Sequence, residues 1–126
     1  MVNIRKQVEH WREGAREDWR VGAKLVEEGE VRHGLFFIHL ALEKALKAHV
    51  CRATRNLAPR IHDLPHLART GGVAVAGEQL RTLAEVNAYS IEGRYPESLP
   101  APLSLDEARE LLGRAEGVFE WLIQPL

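Results

Sequence analysis

His62 and His66 lie four residues apart, the spacing of two metal ligands on one helical face. Asp63 and Pro65 stand between them, however, and both residue types start helices rather than sit inside them. A turn that begins between the two rings spoils the shared face, and no third ligand clearly completes a set, so neither a metal nor another cofactor is expected. His39 and His49 fall in an apolar stretch and are read as partly buried, hydrogen-bonded rings. That stretch, LFFIHLALEKALKAHV over residues 35–50, is interrupted by Glu43, Lys44 and Lys47. Glu43 and Lys47 are four apart, in the order that favours an ion pair on a helix. Glu43 and Lys44 point about 100° apart. The three residues are read either as a solvated strip on a helix otherwise buried or as a binding surface. Arg94 and Tyr95, in GRYP, could grip a phosphate or a carboxylate, or clamp a helix C-terminus. Hydrolase signatures are missing: no G-x-S-x-G, no H-E-x-x-H and no P-loop. Cys51, the one cysteine, has no evident base beside it in sequence.

The elements that must position these groups follow from periodicity. Ile4, Val8, Trp11, Ala15, Trp19, Gly22 and Val26 keep the three-and-four spacing of one helical face, and Gly29 stops the run. A second helix is expected from Val31 to about Arg55, with Leu35, Ile38, Leu42, Ala45, Leu46 and Val50 as its main stripe. Phe36, Phe37, Leu40 and Ala41 widen that stripe, so more than one face must be covered, by the bundle or by a second copy. Pro59 breaks the pattern, Asp63 caps a short helix, and Gly71-Gly72 ends it. A third long helix is expected over about Ala76 to Ser90, carrying Leu80, Leu83, Val86 or Asn87, and Tyr89. EGRYPESLPAP, with three prolines and a glycine, reads as a loop. The last helix has the clearest start, a Ser104-Leu-Asp-Glu107 capping box, and runs until Pro125. Nothing alternates with period two. The expected fold is all-α: an up-and-down antiparallel helical bundle of four long helices plus one short helix, in a single domain, 1–126.

Composition narrows the partners. With 45% hydrophobic and 28% charged residues the chain is an ordinary soluble globular protein, and no run is long enough to span a bilayer. The net charge is −1, so no whole-molecule field draws in nucleic acid, and binding it would require a local basic patch. A lone cysteine and the absence of a signal-peptide h-region suit a cytoplasmic location.

Four landmarks in order resemble the HEPN domain family. Ala15, Asp18, Trp19 and Ala23 match its first-helix pattern. Ala41, Glu43, Lys44, Ala45, Lys47 and Ala48 match its A-x-E-K-A-x-K-A signature. His62-Asp63-Leu64 and Arg94-Tyr95-Pro96 match two later steps. One departure is His39 and Leu40, where the family often carries glutamines. The resemblance implies a helical bundle that forms a homodimer and often pairs with a minimal nucleotidyltransferase in toxin–antitoxin-like systems. In some branches it also implies a metal-independent endoribonuclease built on Arg-x4–6-His, with the two protomers' motifs meeting at the dimer seam. Arg55 and His62, with six residues between them, fit that motif. His62 would act as general base or acid on the ribose 2′-hydroxyl, and Arg55 would stabilise charge on the phosphorus. Arg5–His10, Arg32–His39 and Arg60–His66 satisfy the same spacing, so spacing alone selects none of them. Three readings follow: a dimeric nucleotidyltransferase partner, an endoribonuclease acting on RNA, and a module binding a small ligand or nucleotide through Arg94, Tyr95 and Lys44.

Overall fold

The computed structural model of the chain describes residues 2–90 and 102–126. Among these residues there are five helices and no strand: α1 Ile4–Glu27, α2 Val31–Thr54, α3 Leu64–Thr70, α4 Glu78–Asn87 and α5 Leu105–Ile123. Each start has a local cause. The Asn3 side chain accepts from the Lys6 amide at α1, Asp63 accepts from the His66 amide at α3, and Ser104 and Glu107 close the expected capping box at α5. Gly29 (φ 89°) takes the left-handed turn between α1 and α2. The fourth helix is shorter than its periodicity predicts. Gly77 (φ 57°) caps it, so it starts at Glu78, two residues after the expected Ala76; it ends at Asn87, and Leu80 on its first turns is exposed rather than on the core side.

Contacts along the helices fix their directions. Gly22 meets Gly34, and Asp18 meets Lys44, so α1 and α2 run antiparallel. Arg109 pairs with Glu27 and Phe119 stacks on Trp19, so α5 is antiparallel to α1. Arg114 reaches Glu85, and Tyr89 lies beside Leu103 and Glu107, so α4 opposes α5. The four longer helices therefore alternate in direction, and short α3 lies alongside α2, pointing the same way. α2 touches all four others, which explains its breadth of apolar positions. Leu35, Ile38, Leu42, Leu46 and Val50 are all sealed from solvent. Burying each such side chain stabilises the fold by about 1.5–3 kcal/mol relative to exposure.

The α1–α2 contact is unusually close. A methyl group on Gly34 would lie 2.6 Å from a Val26 methyl and 2.9 Å from the Gly22 carbonyl oxygen; one on Gly22 would lie 2.9 Å from the Gly34 oxygen. No side chain other than hydrogen fits at either position, so two backbones cross with nothing between them. Phe36, Phe37 and Leu40 lie away from this crossing and are only half-buried, with the two rings edge to face at 5.7 Å between centroids.

Candidate functional site

The charged residues of mid-α2 do not form a solvated strip. Glu43 and Lys47 are buried, at 4% and 6% exposure, because α3 folds back along α2 and α1 covers the other side. A buried carboxylate requires partners, and Glu43 has them at both oxygens. Lys47 Nζ donates to Oε2 at 3.1 Å, and His62 Nδ1 donates to Oε1 at 2.9 Å. Lys47 also lies 5.2 Å above the Trp11 ring, a second source of compensation for its ammonium. Lys44 is the member that faces outward. It crosses Gly14, where the missing side chain leaves room for its stem, and places Nζ 2.7 Å from Asp18 Oδ2.

His39 completes the cluster from below. Its Nε2 lies 3.0 Å from the His62 carbonyl oxygen, which can only accept, so Nε2 carries the proton. Nδ1 is then left sealed from solvent, 3.8 Å from Glu43 Oε1, with no hydrogen bond among the described residues. Burial holds the His39 ring below the ordinary imidazole value, opposed by the Glu43 carboxylate, the Asn87 side chain and the His62 carbonyl. The His62 backbone is thus anchored on His39 while its ring is anchored on Glu43. Asp63 is also engaged: besides capping α3, its Oδ1 accepts from Asn87 Nδ2 at 2.7 Å, and Asn87 Oδ1 accepts from the Leu64 amide at 3.0 Å. This reciprocal pair ties the start of α3 to the end of α4. His49, as expected, donates from a part-buried ring to a backbone carbonyl, that of Leu122 at 2.8 Å.

Of the candidate residues, Glu43, Lys47 and His62 come together, with Asp63 next in the chain. Arg55 has different surroundings. It is the cap of α2 in a left-handed conformation (φ 55°, ψ 40°) and lines a cleft of about 460 Å³ with Arg5, Arg12 and Arg52. Arg94 and Tyr95 lie outside the described residues. His66 donates its amide to Asp63 and is not drawn into the Glu43 cluster by any described contact; among the described residues there is no grouping of metal-binding side chains. Cys51 is fully buried and burial raises its thiol pKa, the opposite of what a nucleophile needs.

Two features escaped the sequence. The His39–His62 carbonyl bond depends on where the loop after Pro59 returns, which no spacing reveals. The arginine cleft joins residues about fifty positions apart, although the seven-residue separation of Arg5 and Arg12, two turns of one helix face, was there to be noticed.

The HEPN domain model matches residues 8–125. Among solved structures, TT1696 from Thermus thermophilus superposes with a TM-score of 0.77 at 24% identity, covering 95% of this chain and 98% of that one. ST0689, described as an archaeal HEPN homologue, superposes with a TM-score of 0.67 at 18% identity, covering 94% and 96%. At these identities the likeness is one of fold. No curated protein matches the sequence significantly.

Proposed function

The chain belongs to the HEPN domain family, and from that premise we propose that it works as a homodimer and as the binding partner of a minimal nucleotidyltransferase. The observation that carries this reading is the incomplete cover of α2. Phe36 and Leu40 share a face with Lys44 at four-residue steps, Phe37 flanks them, and all stay half-exposed on a helix whose middle, from Gly34 to Cys51, is otherwise buried apart from His49. A strip of this kind, apolar in the middle with Lys44 and Asp18 at one end, has the make-up of an interface core with a polar rim. Sedimentation at micromolar concentration tests it. Wild type should run as a dimer and Phe37→Asp as a folded monomer. A monomeric wild type would end the reading. Co-purification of a nucleotidyltransferase with the wild type from its own host, lost in Phe37→Asp or retained by the monomer, tells whether the same strip serves both partners.

A second reading, a metal-independent endoribonuclease, is favoured by the Glu43–His62 bond. A buried carboxylate that accepts from Nδ1 orients an imidazole and supports the imidazolium formed when Nε2 takes a proton. Arg55 would supply the phosphate contact, from its own chain or from a second copy. RNA cleavage in the presence of a chelator, abolished in His62→Ala and reduced in Glu43→Gln, is the expected result. Intact RNA at high protein excess would remove this reading.

A further inference from the structure

We propose that the arginine cleft between the start of α1 and the end of α2 is a binding site for a ligand carrying two or more adjacent phosphate groups. The cleft is lined by Arg5, Arg12, Arg52 and Arg55, by Glu9, and by Ile4, Val8 and Leu126. The whole chain carries a net charge of −1, so four guanidiniums around one cleft are a local concentration and not a reflection of overall charge. Among the described residues Arg5 is held only by an exposed pair with Glu9 at 3.3 Å, which a better anion can displace. Arg12 spans Glu13 and the Leu126 carbonyl and so faces the cleft from a fixed position. Arg52 and Arg55 make no ion pair or side-chain hydrogen bond among the described residues.

Cations at the end of α2 also suit the helix dipole, and that alone would account for Arg52. It does not account for Arg55. The left-handed cap that Arg55 occupies is a position where glycine is the favoured residue and a side chain is strained. A helix that needed only a cap would be better served by glycine, with the dipole already answered by Arg52. One phosphate takes one or two guanidinium forks. Arg5 and Arg12 are two helical turns apart, about 10 Å, so the set is too extended for a single phosphate and fits a run of them. Either a free polyphosphate tail or a single nucleic-acid strand offers that chemistry.

The test is equilibrium binding of inorganic tripolyphosphate by calorimetry at low salt, with orthophosphate and a twelve-nucleotide single-stranded RNA alongside. Tripolyphosphate should bind one per chain, at least tenfold tighter than orthophosphate. Arg5→Gln and Arg52→Gln should each weaken it about fivefold with an unchanged melting temperature. Arg52→Lys, which keeps the charge and loses the fork, should fall between. Arg55→Gly should raise the melting temperature while weakening binding. If RNA displaces tripolyphosphate, and its log affinity against log salt loses about 0.7 of slope per arginine removed, the phosphates come from a strand; if RNA fails to displace it, they come from a free polyphosphate. No tripolyphosphate binding, or affinity unmoved in Arg52→Gln or Arg55→Gly, overturns the proposal. Because the readout is binding, it is decided separately from any RNA cleavage by His62.

Discussion

Removing the Glu43 carboxylate should unfold much of what α3 holds in place. Glu43 is 4% exposed and bridges Lys47 and His62. Glu43→Ala leaves the Lys47 ammonium buried with only the Trp11 face for company. Truncating one partner of a buried ion pair costs about 3–5 kcal/mol. Lys47 has a flexible stem that can carry its charge part of the way to water, which places the expectation near about 3 kcal/mol. That is a large share of a total stability of about 5–15 kcal/mol, and for a chain of this size corresponds to a fall of about 10–15 °C in Tm. The decisive comparison is the double variant Glu43→Leu with Lys47→Leu, which removes both charges and keeps the volume. Buried pairs replaced by apolar residues are often neutral or stabilising, so the double variant should recover to within about 1 kcal/mol of wild type in stability. Urea unfolding followed by circular dichroism gives both numbers. A Glu43→Ala cost below about 1 kcal/mol, or a double variant less stable than the single, would refute the view that Lys47 is the charge stranded by losing Glu43.

Three other outcomes are expected. Gly34→Ala should destabilise by about 1–3 kcal/mol because its methyl meets Val26 and the Gly22 carbonyl, whereas Gly117→Ala in α5, with nothing near its Cβ, should stabilise by up to about 1 kcal/mol; equal effects in thermal melts would contradict the close crossing. Burial lowers the pKa of His39, against Glu43, and of His49, against the Leu122 carbonyl. Each folded value lies below the unfolded 6.5, so the unfolded chain binds more protons and stability falls as pH drops below about 6.5, by at most about 1.4 kcal/mol per pH unit per ring. A urea midpoint that stays flat from pH 7.5 to 5.5 would count against it, and His49→Gln should flatten the slope in part. Ser104→Ala should cost about 1 kcal/mol through the lost capping box, read as a drop in urea midpoint.

Local chemistry was legible in the sequence wherever one segment decides its own shape. The caps at Asp63 and Ser104, the stop at Gly29 and the buried stripe of α2 all follow from neighbours a few positions away, whereas the carbonyl partners of His39 and His49 come from 23 and 73 positions along the chain. The Glu43–Lys47 pair was legible too, but its burial was not, since an ion pair at this spacing is most often solvated and only the return of α3 encloses it. Leu80 misled because an apolar residue at a helix start matches the period whether or not anything covers it. The Gly22–Gly34 crossing left a trace, one glycine in each stripe at similar distances from the turn, but a missing side chain carries no periodic signal. Arg5, Arg12, Arg52 and Arg55 converge only once α1 and α2 are antiparallel. The family motif spacing directs attention from Arg55 to His62, whereas the fold groups Arg55 with three other arginines.

The backbone-on-backbone crossing at Gly22 and Gly34 bears on how the chain reaches its native state. Those glycines are twelve residues apart, with the turn at Gly29 between them, so the loop that must close is short and its entropic cost small. The first two helices can zip from that point outward before any distant segment arrives, and local pairings of this kind speed folding. Kinetic experiments should then find Gly34→Ala slowing refolding, while substitutions at the α4–α5 contact, such as Arg114→Ala, mainly hasten unfolding. The hairpin would serve as the template, and the later helices would arrive on a surface already made.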